Sequence, residues 1–133
     1  PDVLRQNLMM YYNLLSNKKS FGRLISFGSG AELFQKETSY GMSKRIISES
    51  IKNTANFYNL RIFAVFDENE LDRRFILSNM LRYINKEPMV IHENRMMDFF
   101  YMKDLVSVVE YYIEQSQLSK QVNCCYNEKY TLY

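Results

Sequence analysis

Tryptophan is absent from this sequence, histidine occurs once, cysteine and proline twice each, and glycine only four times. Each scarcity closes off a class of function. With His92 as the one imidazole and no spaced Cys/His cluster, a zinc site has no ligand set, and no metal is expected. Cys124 and Cys125 are adjacent, and neighbouring Cα atoms ~3.8 Å apart lie closer than disulfide geometry permits. Buried thiols in a strand are expected instead. No apolar run approaches the ~20 residues that span a bilayer, and the first residues lack the charged-then-apolar plan of a signal peptide. A cytoplasmic protein without membrane contact is the expectation. Lys and Arg total 17 against 15 Asp and Glu, with no block of like charge, so no nucleic-acid groove is expected either.

What is present is one domain's worth of chain, 133 residues with 47% apolar side chains, enough to bury a core. Asn, Lys, Ile, Tyr, Phe and Met are abundant, which reads as a base-composition bias of the genome. Leu4, Leu8, Tyr11, Tyr12 and Leu15 recur at helical spacing across residues 2–17. Arg23-Leu-Ile-Ser-Phe-Gly28 is short, apolar and β-prone, the pattern of a buried parallel strand. A helix is predicted over 40–57 from Ile47, Ile51, Ala55 and Tyr58, and a strand over 60–66. Asp67 or Asn69 is the expected cap of a helix over 71–85, with Arg73 and Arg74 in its first turn facing an anion or, more often, solvent. Pro88 opens a predicted strand, Met89 to His92, and His92 reads as a strand-end surface residue. A helix over 105–113 and a strand over 122–126 complete a three-layer α/β arrangement with a mainly parallel sheet flanked by helices.

Three of the four glycines fall between Ser26 and Lys44, marking a constrained site. Within it stand Ser29, Tyr40 and Lys44. Tyr40 and Lys44 are four apart, so a helix puts both on one face. A phenol ionises near pH ~10, and to exchange protons near neutrality it needs about 4 kcal/mol of preferential phenolate stabilisation. An ammonium beside it and a helix start, capped by Thr38 or Ser39, both act in that direction. Ser29, at the carboxyl end of a strand, is placed to hydrogen-bond the same substrate oxygen. The chemistry implied is proton transfer at a carbonyl or alcohol. Eleven tyrosines make about one Tyr-x-x-x-Lys pair a chance event, so the strand-Gly-Ser-Gly turn before it carries much of the argument.

These blocks resemble the extended short-chain dehydrogenases/reductases, in particular the NAD(P)-dependent sugar-nucleotide epimerases, dehydratases and reductases. The resemblance runs in order through Asn7 to Leu15, Leu24 to Ala31, Tyr40 to Glu49 and Leu60 to Phe66. It continues in Met97-Asp-Phe-Phe-Tyr-Met-Lys-Asp-Leu105, similar to the family's Arg-Asp-Phe-x-Tyr-Val-x-Asp. It implies a Rossmann-like fold, a catalytic trio of Ser29, Tyr40 and Lys44, contact of Tyr40 and Lys44 with the nicotinamide ribose of NAD or NADP, and substrate contact by Ser29 and Gly30. Met97 stands where the family has a diphosphate-gripping arginine, with Arg95 two positions away as the expected substitute. Ala64 stands where many relatives have a substrate-contacting asparagine, and the stretch from Ser29 to Tyr40 is shorter than usual.

The family's glycine-rich cofactor turn, Gly-x-x-Gly-x-x-Gly, does not occur here, nor does an acidic residue placed for the adenosine ribose. The chain therefore reads as the middle and later part of such an enzyme, or as a truncated, inactive binding or assembly module derived from one. Two partners are expected: a separate cofactor-binding half, and a second copy meeting it through the helices over 2–17 and 40–57, a pairing that the resemblance implies.

Overall fold

The computed structural model describes residues 2–132. Helix α1 (Val3–Ser16) starts where the Asp2 carboxylate accepts the Arg5 amide at 3.1 Å. Strand β1 (Leu24–Ser29) follows, then a single turn, α2 (Ala31–Phe34), and helix α3 (Ser39–Lys52). Strand β2 (Phe57–Ile62) pairs in parallel with β1 from Leu24↔Phe57 to Ser29↔Ile62. The chain continues through β3 (Ala64–Phe66), α4 (Phe75–Ile84), β4 (Met96–Met97), β5 (Phe99–Tyr101), α5 (Met102–Glu114), β6 (Gln121–Cys124) and β7 (Tyr130–Thr131). The main sheet has the order β1-β2-β6, all parallel; β3 pairs with β5 in parallel, and β4 with β7 antiparallel.

Strand alternation sorts the core into two layers. Tyr58 and Leu60 face one side and pack with Phe100, Leu105, Tyr112 and Cys124, so α5 covers that face. Phe57 points the other way and packs with Tyr11, Ile47 and Ile51, which puts α1 and α3 on the opposite face. Helices on both faces of a parallel sheet make the expected three-layer α/β arrangement. Polar pairs set the α1/α3 contact: Asn7 donates to the Ser43 hydroxyl at 2.9 Å, and the Tyr11 hydroxyl to Ser50 at 2.8 Å. Among the described residues no helix is long and apolar enough to cross a membrane.

Several boundaries differ from the sequence reading. Helix α3 ends at Lys52, not near Phe57. The Thr54 hydroxyl turns back to the Ser50 carbonyl, and Asn56 takes a left-handed conformation (φ 58°) that reverses the chain into β2. That strand consequently begins three residues early, at Phe57, and a break at Phe63 sets off β3. Helix α4 begins at Phe75, and its orphan Leu77 amide is taken at 2.8 Å by the Glu70 carboxylate instead of by Asp67 or Asn69. Residues 89–92 form no strand; the Asn79 side chain donates to the Val90 carbonyl and accepts its amide, giving this extended segment its partner. Cys124 ends β6 as a buried thiol, whereas Cys125, expected to be buried in the same strand, lies just past its end and is half-buried.

Candidate active site

A cleft of about 720 Å³ opens at the carboxyl ends of β1 and β2. Ser29 closes β1, Tyr40 and Lys44 rise from the first turns of α3, and all three line it. The Thr38 hydroxyl caps α3 by accepting the Gly41 amide at 3.0 Å while donating to Gln35 at 2.9 Å. Tyr40, two residues inside that cap, stands at the positive end of the helix dipole. The Lys44 ammonium lies 5.7 Å from the centre of the Tyr40 ring and donates to the Phe27 carbonyl at 2.7 Å. Ser29 Oγ accepts the Ala31 amide at 3.2 Å, which orients the hydroxyl and leaves its proton to donate. A phenol, an ammonium and an alcohol thus share one wet concavity, a set able to move a proton at a substrate oxygen.

The glycines here serve close packing within the chain. A Cβ on Gly28 would come within 2.6 Å of the Asn59 amide, and one on Gly41 within 1.9 Å of the Gln35 carbonyl. At Gly30 the Phe63 ring fills the corresponding space.

The other family positions separate. Ala64 lines the cleft, so no amide reaches the substrate from there. Met97 lies on β4 against a different depression, with Tyr126 and Tyr130. Arg95 is not among the lining residues and is ion-paired with Glu93. Arg74 does line the cleft, with its side chain also half exposed to solvent, the two environments the sequence reading left open for it. Its Nε lies 3.2 Å from Glu70, and Nη2 donates to the Val65 carbonyl at 3.0 Å. Behind the site, buried Glu32 accepts from Arg61 and Asn59, a cluster that sequence reasoning did not find.

No family model and no curated protein matches the sequence. Solved structures do. UDP-glucuronic acid 4-epimerase from Bacillus cereus, solved with NAD and UDP-glucuronic acid, superposes with TM-score 0.70 at 16% identity over 95% of this chain. The fold is theirs. The Bordetella bronchiseptica enzyme WbmG, solved with NAD, gives 0.72 at 16% identity over 94% of the chain. TunA, an NAD-dependent NDP-hexosamine 5,6-dehydratase involved in tunicamycin biosynthesis, gives 0.67 at 17% over 98%. Against these epimerase and dehydratase folds the chain spans about half of each partner's length, 48%, 44% and 52%.

Proposed function

We propose that this chain is the catalytic part of an NAD(P)-dependent epimerase, dehydratase or reductase acting on a sugar nucleotide or a related carbonyl or alcohol substrate in the cytoplasm. The observation that carries the reading is the convergence of Ser29, Tyr40 and Lys44 on one cleft at the carboxyl end of β1, where ligands bind in open α/β sheets. Tyr40 takes the proton of the substrate hydroxyl during oxidation and returns it during reduction. Lys44 holds the phenolate by its charge, and the Ser29 hydroxyl donates to the same substrate oxygen. Tyr40 and Lys44 are also the groups available to the nicotinamide ribose. NAD(P), when bound, exchanges hydride with the carbon bearing that oxygen.

The cofactor's pyrophosphate is held by a separate half. Support comes from β1, which among the described residues pairs on one edge alone and so offers a place for a further strand. A homodimer through the outer faces of α1 and α3 accounts for exposed Met9, Met10, Tyr12 and Met42. A second reading, an inactive assembly module, draws on Ala64 in the cleft and on Arg95 and Met97 outside it. The experiment that separates the two is co-expression with a dinucleotide-binding half, followed by chromatography of the sugar nucleotides for conversion to product in the presence of NAD(P)(H). Turnover abolished by Tyr40→Phe supports the enzyme; turnover indifferent to that substitution removes the assigned site.

A further inference from the structure

Helix α2 is built inside out. Its apolar residues Leu33 and Phe34 are 37% and 74% exposed, while its one charged side chain, Glu32, is 3% exposed. Apolar burial therefore does little to seat this turn, and the Glu32 carboxylate does so instead. It accepts from Asn59 Nδ2 at 3.2 and 3.4 Å and from Arg61 Nε, both on β2. Arg61 is held in turn by Asn123 at 2.6 Å and Gln121 at 3.4 Å on β6, and Gln121 donates to the Ser48 hydroxyl of α3 at 2.6 Å. Gly28 lacks the Cβ that would come within 2.6 Å of Asn59, so β1 leaves room for that amide. Replacing a buried ion pair by apolar side chains is often neutral or stabilising, so fold stability gives no reason to place a charge here.

The turn that Glu32 seats touches both sides of the Ser29–Tyr40 pair. Its Ala31 amide donates to Ser29 Oγ at 3.2 Å. On its other side the Ala31 and Gln35 carbonyls abut Gly41, the neighbour of Tyr40, and the Gln35 carbonyl takes the Thr38 hydroxyl at 2.9 Å. Helix α3 is anchored separately, by Ile47 and Ile51 in the core and by the Asn7–Ser43 bond. Displacing α2 therefore moves Ser29 and leaves Tyr40 and Lys44 in place.

We propose that Glu32 is the positioning residue for Ser29: by holding α2 on Asn59 and Arg61, it aims the Ser29 hydroxyl at the substrate oxygen that Tyr40 serves. Glu32 does not line the cleft and acts through Ser29. The inference rests on the catalytic reading of Ser29, Tyr40 and Lys44.

The first arm of the test is NMR of the 133-residue chain as parent, Glu32→Gln, which keeps the shape and loses the charge, and Glu32→Ala, which loses both. Three-bond couplings to the Ser29 β-protons read its rotamer. The parent should hold one rotamer and Glu32→Ala should average over several, with the Ile47 and Ile51 methyl signals showing that the fold is kept. If Glu32→Ala does not fold, Glu32→Gln decides by the same couplings. A Ser29 rotamer that is unchanged in every folded variant, or already averaged in the parent, overturns the proposal.

The second arm uses the chain co-expressed with its dinucleotide-binding half, in the parent and in a Ser29→Ala background. Glu32→Ala should lower kcat about tenfold or more with KM within about twofold, and should lower neither further once the Ser29 hydroxyl is gone. Equal losses in both backgrounds would make Glu32 a support of the fold and overturn the proposal. A parent without conversion, or conversion indifferent to Ser29→Ala, removes the catalytic reading itself, and this inference with it.

Discussion

The Lys44 ammonium donates to the carbonyl of Phe27, seventeen residues earlier, at 2.7 Å. This bond identifies the direction in which β1 is open. Leu24 and Gly30 donate their amides to Asn56 and Ile62 on the β2 side, so by strand alternation Ile25, Phe27 and Ser29 turn theirs to the free edge.

Hydrogen exchange should therefore alternate along β1. The Ser26 and Gly28 amides are expected to be protected and those of Ile25 and Phe27 to exchange much faster. NMR exchange of the chain by itself checks this. Equal protection of all four would mean that the edge is already covered.

The chain alone should bind NAD and NADP more weakly than roughly 10 μM. Tyr40 and Lys44 offer two or three hydrogen bonds, each about 0.5–1.5 kcal/mol net, against an association cost of at least about 4 kcal/mol. Calorimetry with each dinucleotide reads the result directly, and tight binding would refute a separate cofactor half.

Gly41→Ala should destabilise the fold by about 1–3 kcal/mol, the usual effect of overpacking. In an open helix the same change would stabilise by up to about 1 kcal/mol. The sign reverses because the new methyl meets the Gln35 carbonyl at 1.9 Å and that of Ala31 at 2.8 Å. Gly22, with nothing within 4 Å, is the control, and Gly22→Ala should stay within about 0.5 kcal/mol of the parent in urea denaturation.

Burial lifts the Cys124 thiol from 9.0 to about 11. The unfolded chain then releases this proton first as pH rises, so stability is whole below pH 9 and declines through pH 11, by about 2–3 kcal/mol in total. Denaturant midpoints between pH 8 and 11 should fall, and Cys124→Ala should flatten part of the slope. Tyr112, also raised by burial, acts in the same direction.

Periodicity determined α1, β1 and the start of α3, because Leu4, Leu8, Tyr11 and Leu15 repeat with the helix and the Thr38 cap acts within one turn. Local chemistry of this kind needs no distant partner. The four-residue spacing of Tyr40 and Lys44 likewise put both on one helix face before any fold was known. Tertiary structure decided what depends on residues far apart in sequence. Asn79 reaches Val90 and removes the need for a strand there; Glu32 finds Arg61 across the layer between α2 and β2; Phe63 fills the space beside Gly30. Arg74 shows the difference most directly. The sequence reading put it in a helix's first turn, whereas it stands extended just ahead of α4, and its place beside the cleft of Ser29 and Tyr40 depended on the Val65 carbonyl and on where β3 lays it.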